Sequence, residues 1–227
     1  MSFSADTDYW SFADTEVLLV SSTQDKSTSE AQAMDENADV SASSIYDTIT
    51  TRTVEYVTCS DTGLLFYDTT SSKDFRIGKV ISSHVITGIT VTTSNTARPR
   101  ITITGESCPS VDGDVRKIDT SDLEIAGSRA ATKFGATVDT VTKLNGSSCT
   151  VSGTVTREAG TTGSTACADV HTGRVEASND FVGVTGNPGA AVDTGWTVNS
   201  PVSRSDENTG YSTGSIGVFK NVASTAS

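Results

Sequence analysis

Runs in which Ile or Val takes every second position, with Thr between, constrain this fold more than any other feature. Ile89 and Val91 alternate with Thr90 and Thr92, and Ile101 and Ile103 alternate with Thr102 and Thr104. Successive side chains leave a strand on opposite faces, so such a run has one apolar face and one hydroxyl face. Thr is branched at Cβ and suits a pleated, half-exposed surface better than a helix. The chain has 37 Thr and 32 Ser among 227 residues, and few Leu, Lys or Glu. The expected fold is therefore mainly β. It is a β-sandwich or barrel of two packed antiparallel sheets, with long loops and at most one or two short helices, in a single domain over residues 1–227.

Residues 79–93 and 100–105 read as a hairpin whose polar linker, 94–99, ends on Pro99. Its Thr face is either solvated or pressed against another subunit. Further strands are expected over 16–21, 46–57, 148–157, 170–178, 180–185, 194–198 and 214–220. Residues 108–114, 160–164 and 203–210 read as loops, and 186–189 as a turn. Residues 122–134 suit a helix or a strand, because Gly127 interrupts them and no period of 3.6 is present. No fixed-period repeat suggests a propeller or solenoid.

Charge is unevenly spread. Residues 1–55 hold eleven acids and two bases, so nine of the twelve excess negative charges lie there. Residues 21–45 are polar and acidic and cannot build a core of their own. They are expected as a loop or arm, with a short helix over 29–37 as the alternative. Only 35% of residues are hydrophobic. That predicts a thin core and a subunit that completes its burial against neighbours. The acidic balance argues against a basic groove for nucleic acid. It suits a passage along which a phosphate backbone slides without sticking. No secretory signal is expected at the start, and no apolar run is long enough to insert in a membrane.

Residues for chemistry are sparse. No phosphate-binding loop, dinucleotide fingerprint, nucleophile elbow or HExxH is present. His84 is expected as a packed strand residue, and His171, near Asp169, in a turn. Asp112 and Asp114 resemble a fragment of a calcium loop but lack the remaining oxygen ligands, so a turn is expected there and at 206–208. Asn145-Gly146-Ser147 is expected to be a hairpin turn. Cys59, Cys108, Cys149 and Cys167 are widely spaced and predict free buried thiols rather than a zinc site. No catalytic residue, metal ligand or cofactor is expected, and the chain reads as a non-enzyme.

Residues 86–96 (ITGITVTTSNT) followed by 101–105 (ITITG) look like the central hairpin of a bacteriophage tail tube protein. Residues 173–181 (GRVEASNDF), 195–198 (GWTV) and 217–220 (GVFK) are similar to segments of such proteins, and the resemblance spans roughly residues 80–220. It implies two packed β-sheets with a flanking helix, and hexameric rings that stack into a hollow tube. It also implies a long loop reaching the next ring and an acidic lumen through which DNA passes. The partners would be other copies of the chain and other tail or capsid proteins, in a virion assembled in the host cytoplasm. Two alternatives compete. One is another virion part, such as a tail terminator, capsid decoration or tail-tip subunit. The other is a carbohydrate-binding module, for which Trp10, Trp196 and Tyr211 are the candidate aromatic platform.

Overall fold

A computed structural model describes residues 10, 12, 15–59, 61, 63–67, 74–81, 83–107, 116–126, 129–138, 142–159, 165–183, 190–206 and 210–225. Fifteen strands take 73% of these, and no helix occurs among them. They begin with β1 (Val17–Met34), β2 (Val40–Thr58), β3 (Leu64–Leu65), β4 (Val80–Ile81) and β5 (His84–Ser94). Next come β6 (Arg100–Ser107), β7 (Lys117–Ile118), β8 (Glu124–Ile125), β9 (Ala136–Val138) and β10 (Thr142–Ala159). The set closes with β11 (Thr165–Gly183), β12 (Ala190–Val192), β13 (Thr197–Ser205), β14 (Ser212–Val222) and β15 (Ser224–Thr225). The fold is mainly β, as the alternation predicts.

Nine strands form one large antiparallel sheet in the order β1–β2–β6–β5–β10–β11–β14–β13, with β4 also paired to β5. The expected hairpin is its centre: Ile89 lies opposite Ile103 and Val91 opposite Ile101. Neighbouring strands extend these pairs into apolar rows. One row runs Val54, Ile103, Ile89, Val151, Val175; the next runs Tyr56, Ile101, Val91, Cys149, Ala177, Val218. Every one of these side chains is buried. The opposite face carries Thr53, Thr102, Thr104, Thr90 and Thr150, all half-buried.

A second, broken layer covers the apolar face. It consists of the two-stranded sheets β3–β8, β7–β15 and β9–β12 and the segments between them. Phe66, Phe75, Ile77, Ile118, Leu123 and Phe134 point from it into the core. Trp10 and Phe12 complete it. Phe12 stacks on Phe75 at 4.2 Å between ring centres and meets Tyr56 edge-on at 5.4 Å. Trp10 lies directly over Gly105, where any Cβ would collide with its ring.

A polar ladder fastens this layer at one end. Thr93, Ser147 and Asn179 are buried on the core face. Thr93 Oγ1 accepts from the Thr132 amide at 2.9 Å, and the Ser147 hydroxyl donates to the Thr132 carbonyl. Asn179 accepts from the Phe134 amide at 3.0 Å and donates to the Phe134 carbonyl at 2.8 Å. Segment 131–134 thus crosses the core without stranding its backbone groups.

Several expectations are corrected. Residues 21–34 and 40–45 are strand rather than loop or helix, and with the turn at 35–39 they form an arm-like β1–β2 ribbon. The expected strands 170–178 and 180–185 are joined as one continuous strand, β11, as far as Gly183, and residues 184 and 185 lie outside the described residues. Among the described residues of 122–134, only β8 is regular structure. Asn145-Gly146-Ser147 lies inside β10 as a bulge, with register shifting between Leu144 and Gly146. Asn95 fills the gap there, donating its side chain to the Leu144 carbonyl at 2.6 Å. His171 sits in β11 rather than a turn. The flanking helix implied by the tail-protein resemblance is not found among the described residues. The expected loop 108–114, the tip 160–164, the turn 186–189 and residues 207–209 lie outside the described residues.

Two predictions concern this packing. A Cβ at Gly173 would lie 2.5 Å from the Val222 carbonyl oxygen, a backbone atom that cannot yield, and 2.8 Å from Ile118. Gly173→Ala should therefore destabilise the fold by about 1–3 kcal/mol. Gly88→Ala, whose nearest neighbour would be 3.9 Å away, should stay within about 0.5 kcal/mol of wild type by chemical denaturation.

The second concerns Asp74, which takes two hydrogen bonds from the Arg76 guanidinium at 2.8 and 2.9 Å. Burial alone would raise its pKa. The Arg76 hydrogen bonds and the charges of Arg76 and Lys79 outweigh burial and hold the carboxyl below its usual 3.8. A lowered folded-state value stabilises above the unfolded pKa, and the benefit disappears as pH falls through the folded value. Asp74→Asn should thus be less stable than wild type at neutral pH, with the difference shrinking below about pH 4.

Candidate assembly surface

The nine-stranded sheet ends on β1 at one edge and β13 at the other. Edge strands present free backbone donors and acceptors, and proteins usually shorten, charge or cover them. Here the β1 edge is long. β2 pairs with β6 only from Thr51 to Val57, opposite Glu106 to Arg100. Beyond that, Lys26–Met34 and Val40–Thr50 pair only with each other among the described strands. At about 3.3 Å per residue this free ribbon projects roughly 30 Å.

Arg52 marks the root. Among the described side chains of β2 it is the last buried one toward the tip, and its guanidinium donates to the Ser22 hydroxyl at 3.3 Å. Past it the core-facing period vanishes and β1 is exposed at almost every position. Apolar groups nevertheless remain in the open: Ile45 is 70% exposed, Met34 63% and Val40 52%. The tip is ordered by its own chemistry. Asp35 accepts hydrogen bonds from the Asn37 and Asp39 amides at 2.9 and 3.0 Å, and Ala38 takes a left-handed conformation at φ 65°.

The register places a second ribbon at the same end of the sheet. β10 pairs with β5 only from Gly146 to Ser152, and its continuation with β11 runs on past His84. His84 is also opposite Ser107, beyond which the first ribbon projects. The second ribbon differs because Val170 is buried and Val155 packs on the core. Arg157 reaches from it to an ion pair with Glu106 on β6.

The outer face between the edges is a hydroxyl surface. Thr90 and Thr150 share a hydrogen bond at 3.0 Å, and Thr53 and Thr104 approach to 3.4 Å. A shallow groove beside them is lined by Thr92, Ser94, Asn145, Ser148, Ser178 and Asp180. Charges on this face are mostly paired, Arg100 with Glu55 at 2.5 Å and Arg174 with Glu176 at 2.8 Å. The acidic excess of the described N-terminal residues therefore falls on the ribbon, through Asp25, Glu30, Asp35, Glu36 and Asp39.

The residues considered for chemistry do not converge. His84 is half-buried at the start of β5, with its ring 6.1 Å from Trp10. The Asp169 carboxylate is taken by Arg116 and by the Val170 amide, the latter at 2.9 Å. Asp206 accepts from Arg204 at 2.9 Å and from Ser212, which hold its carboxyl below the usual range. Asp112, Asp114 and Cys108 lie outside the described residues, as does the Cys167 side chain. Among the described residues no group of three His, Cys, Asp or Glu is placed to hold a metal, and no helix is long and apolar enough to cross a membrane. Neither Cys149 nor Cys59 is in a disulfide; the Cys59 thiol donates to the Thr15 carbonyl at 3.0 Å, and burial pushes Cys149 up to about 12. Trp10 is in the core, Trp196 packs against it, and only Tyr211 is openly exposed. The three do not make a platform.

The free ribbon was not legible as strands because it lacks an apolar face, and period two needs two unlike faces. The nearest signal was Ile45 and Met34 in an otherwise polar stretch. No protein-family model matches the chain, and no curated protein matches it.

A two-stranded hairpin without a third strand or a hydrophobic cover is marginal in water. In the isolated protomer, amides of Lys26–Met34 and Val40–Ile49 should exchange orders of magnitude faster than those of β5. Hydrogen exchange resolved by peptide or residue checks this.

Proposed function

We propose that the chain is a structural subunit of a bacteriophage virion. In this reading it is a tail tube protein whose copies associate into rings that stack around a channel for DNA. The observation that carries the proposal is the free β1–β2 ribbon. A chain with little apolar material builds a projection of roughly 30 Å that no described part of the same chain covers. Such a ribbon gains stability only by laying its edges and its exposed Met34, Val40 and Ile45 on another surface. The hydroxyl-rich outer face fits a channel wall. It offers no basic strip to hold a phosphate backbone, and its hydroxyls stay hydrated.

The resemblance of residues 86–96, 101–105, 173–181, 195–198 and 217–220 to segments of tail tube proteins favours that reading over another virion part. Another virion part would share the ribbon but not the channel, and copy number per particle separates the two.

The test shortens the ribbon at the register the strands define. Deleting residues 27–49 and joining Lys26 to Thr50 through Asn-Gly keeps the pairing of β2 with β6 intact. The shortened protein should unfold with near-wild-type stability yet form no tubes by electron microscopy under conditions where the full chain does. Tubes from the shortened chain would remove the ribbon from the assembly mechanism.

A further inference from the structure

Asn145 is the extra residue of the β10 bulge. Leu144 pairs with Phe181 and Gly146 with Asp180, so Asn145 has no opposite number on β11. The asparagines near it are tied down. The Asn95 carboxamide donates to the Leu144 carbonyl at 2.6 Å and accepts from the Ala131 amide at 3.0 Å. The Asn179 carboxamide is buried and bonded in both directions to Phe134. The Asn145 side chain is exposed and has no hydrogen-bond partner among the described residues.

Gly146 follows, and this is the only Asn-Gly pair in the chain. Without a Cβ, Gly leaves the approach to its own amide nitrogen open. In a regular strand an Asn side chain stands roughly perpendicular to the sheet, away from the next amide. A bulged residue leaves that extended geometry. The Asn95 amide also donates to the Asn145 carbonyl, at 3.2 Å. That carbonyl and the Gly146 N–H share one resonant peptide unit, so electron density drawn to the oxygen makes the N–H more acidic. Asn145 and Gly146 both line the shallow outer-face groove that holds Ser94, Ser148, Ser178 and Asp180. Water therefore reaches the pair freely.

We propose that Asn145 is a site of self-modification, converted by water to aspartyl and isoaspartyl products. The Gly146 amide gives its proton to a solvent base, and its nitrogen bonds to Asn145 Cγ. The Cγ–Nδ2 bond breaks, and the leaving nitrogen takes a proton from solvent and departs as ammonia. Water then opens the five-membered imide. Addition at Cγ restores the main chain and leaves an aspartate. Addition at the main-chain carbonyl carbon leaves an isoaspartate, whose chain runs through Cγ. One water is taken up and one ammonia lost, with no oxidant or reductant. Either product sets a second carboxylate in a groove that the unmodified chain lines with Asp180 alone. The reaction belongs to the protomer and does not depend on the tail tube reading.

The experiment ages the full-length chain at mildly alkaline pH for weeks. Peptide mapping by mass spectrometry follows the replacement of amide by acid, and labelling with an isoaspartyl methyltransferase counts the isoaspartate. The same chain held unfolded in urea gives the intrinsic rate of the pair. Asn145 should convert in the folded chain within about tenfold of its unfolded rate, faster as pH rises, while Asn95 and Asn179 stay amides. In Gly146→Ala the added Cβ would meet nothing closer than the Thr93 carbonyl oxygen at 3.4 Å, so the fold should be kept. Conversion should then slow by roughly tenfold or more. Asn145→Gln, at an exposed position, would need a six-membered imide and should lose the isoaspartate label.

A folded-state rate more than about tenfold below the unfolded rate means that the sheet holds Asn145 as firmly as its neighbours, and it overturns the site. Faster conversion of Asn95 or Asn179 than of Asn145 does the same. So does an isoaspartate label that persists undiminished in Asn145→Gln.

Discussion

Ile89 faces Ile103 on one side and Val151 on the other, and Val91 faces Ile101 and Cys149. The period of a strand is two, so a slip of one residue between β5 and either neighbour would turn these side chains outward and bring Thr90, Thr92 and Thr102 into the core. Both outcomes are expensive. Apolar side chains lose about 1.5–3 kcal/mol each on exposure, and a buried hydroxyl without a partner costs of the order of 1–3 kcal/mol. The central register is therefore the best-determined feature of the molecule. The second layer depends on it: Phe12 needs Tyr56 beneath it, Trp10 needs the missing side chain of Gly105, and Ile118 needs that of Gly173.

What could be read from the sequence follows the same logic. The β5–β6 hairpin and the strands at 148–157 and 214–220 were legible because burial of one face writes an alternation into the residues. The second layer was not legible. Phe66, Phe75, Ile77 and Ile118 are single buried side chains on irregular segments, and no period links them. The Asn145 bulge was misread for another reason. Asn-Gly serves equally in a two-residue turn and at a break in register, and only the length of the surrounding strand separates the two. The candidate surface was half visible. Composition marked residues 21–45 as unable to form a core, but its strand pairing depends on continuation from β1 and β2, whose roots are held by Val17, Val54 and Tyr56.

The ribbon also divides the molecule energetically. Up to Arg52, β2 is part of a sheet and alternate side chains, Arg52, Val54, Tyr56 and Thr58, are buried. Past Arg52 each added pair orders two residues for backbone hydrogen bonds that water would otherwise satisfy, with little apolar burial in return. Fixing a residue costs roughly 1–2 kcal/mol of conformational entropy, while a net hydrogen bond returns about 1 kcal/mol. The free ribbon therefore gains nothing net from its own pairing. Contact with another surface then decides its state, which suits the proposed role in association.

An exposed edge of this length ordinarily invites the wrong partner, another copy of the same edge. The charge pattern argues against that outcome here. Two ribbons laid edge to edge would bring Asp25, Glu30, Asp35, Glu36 and Asp39 of each copy together, with one lysine apiece to offset them. Like charges at such spacing oppose the symmetric pairing that would cap growth as a closed dimer. The acids thus discourage ribbon-to-ribbon pairing in the proposed assembly. A neutral ribbon of the same length would keep the adhesive edges and lose this protection, so the five acids set against one lysine on the described ribbon are as much a part of the proposed assembly as the strands themselves.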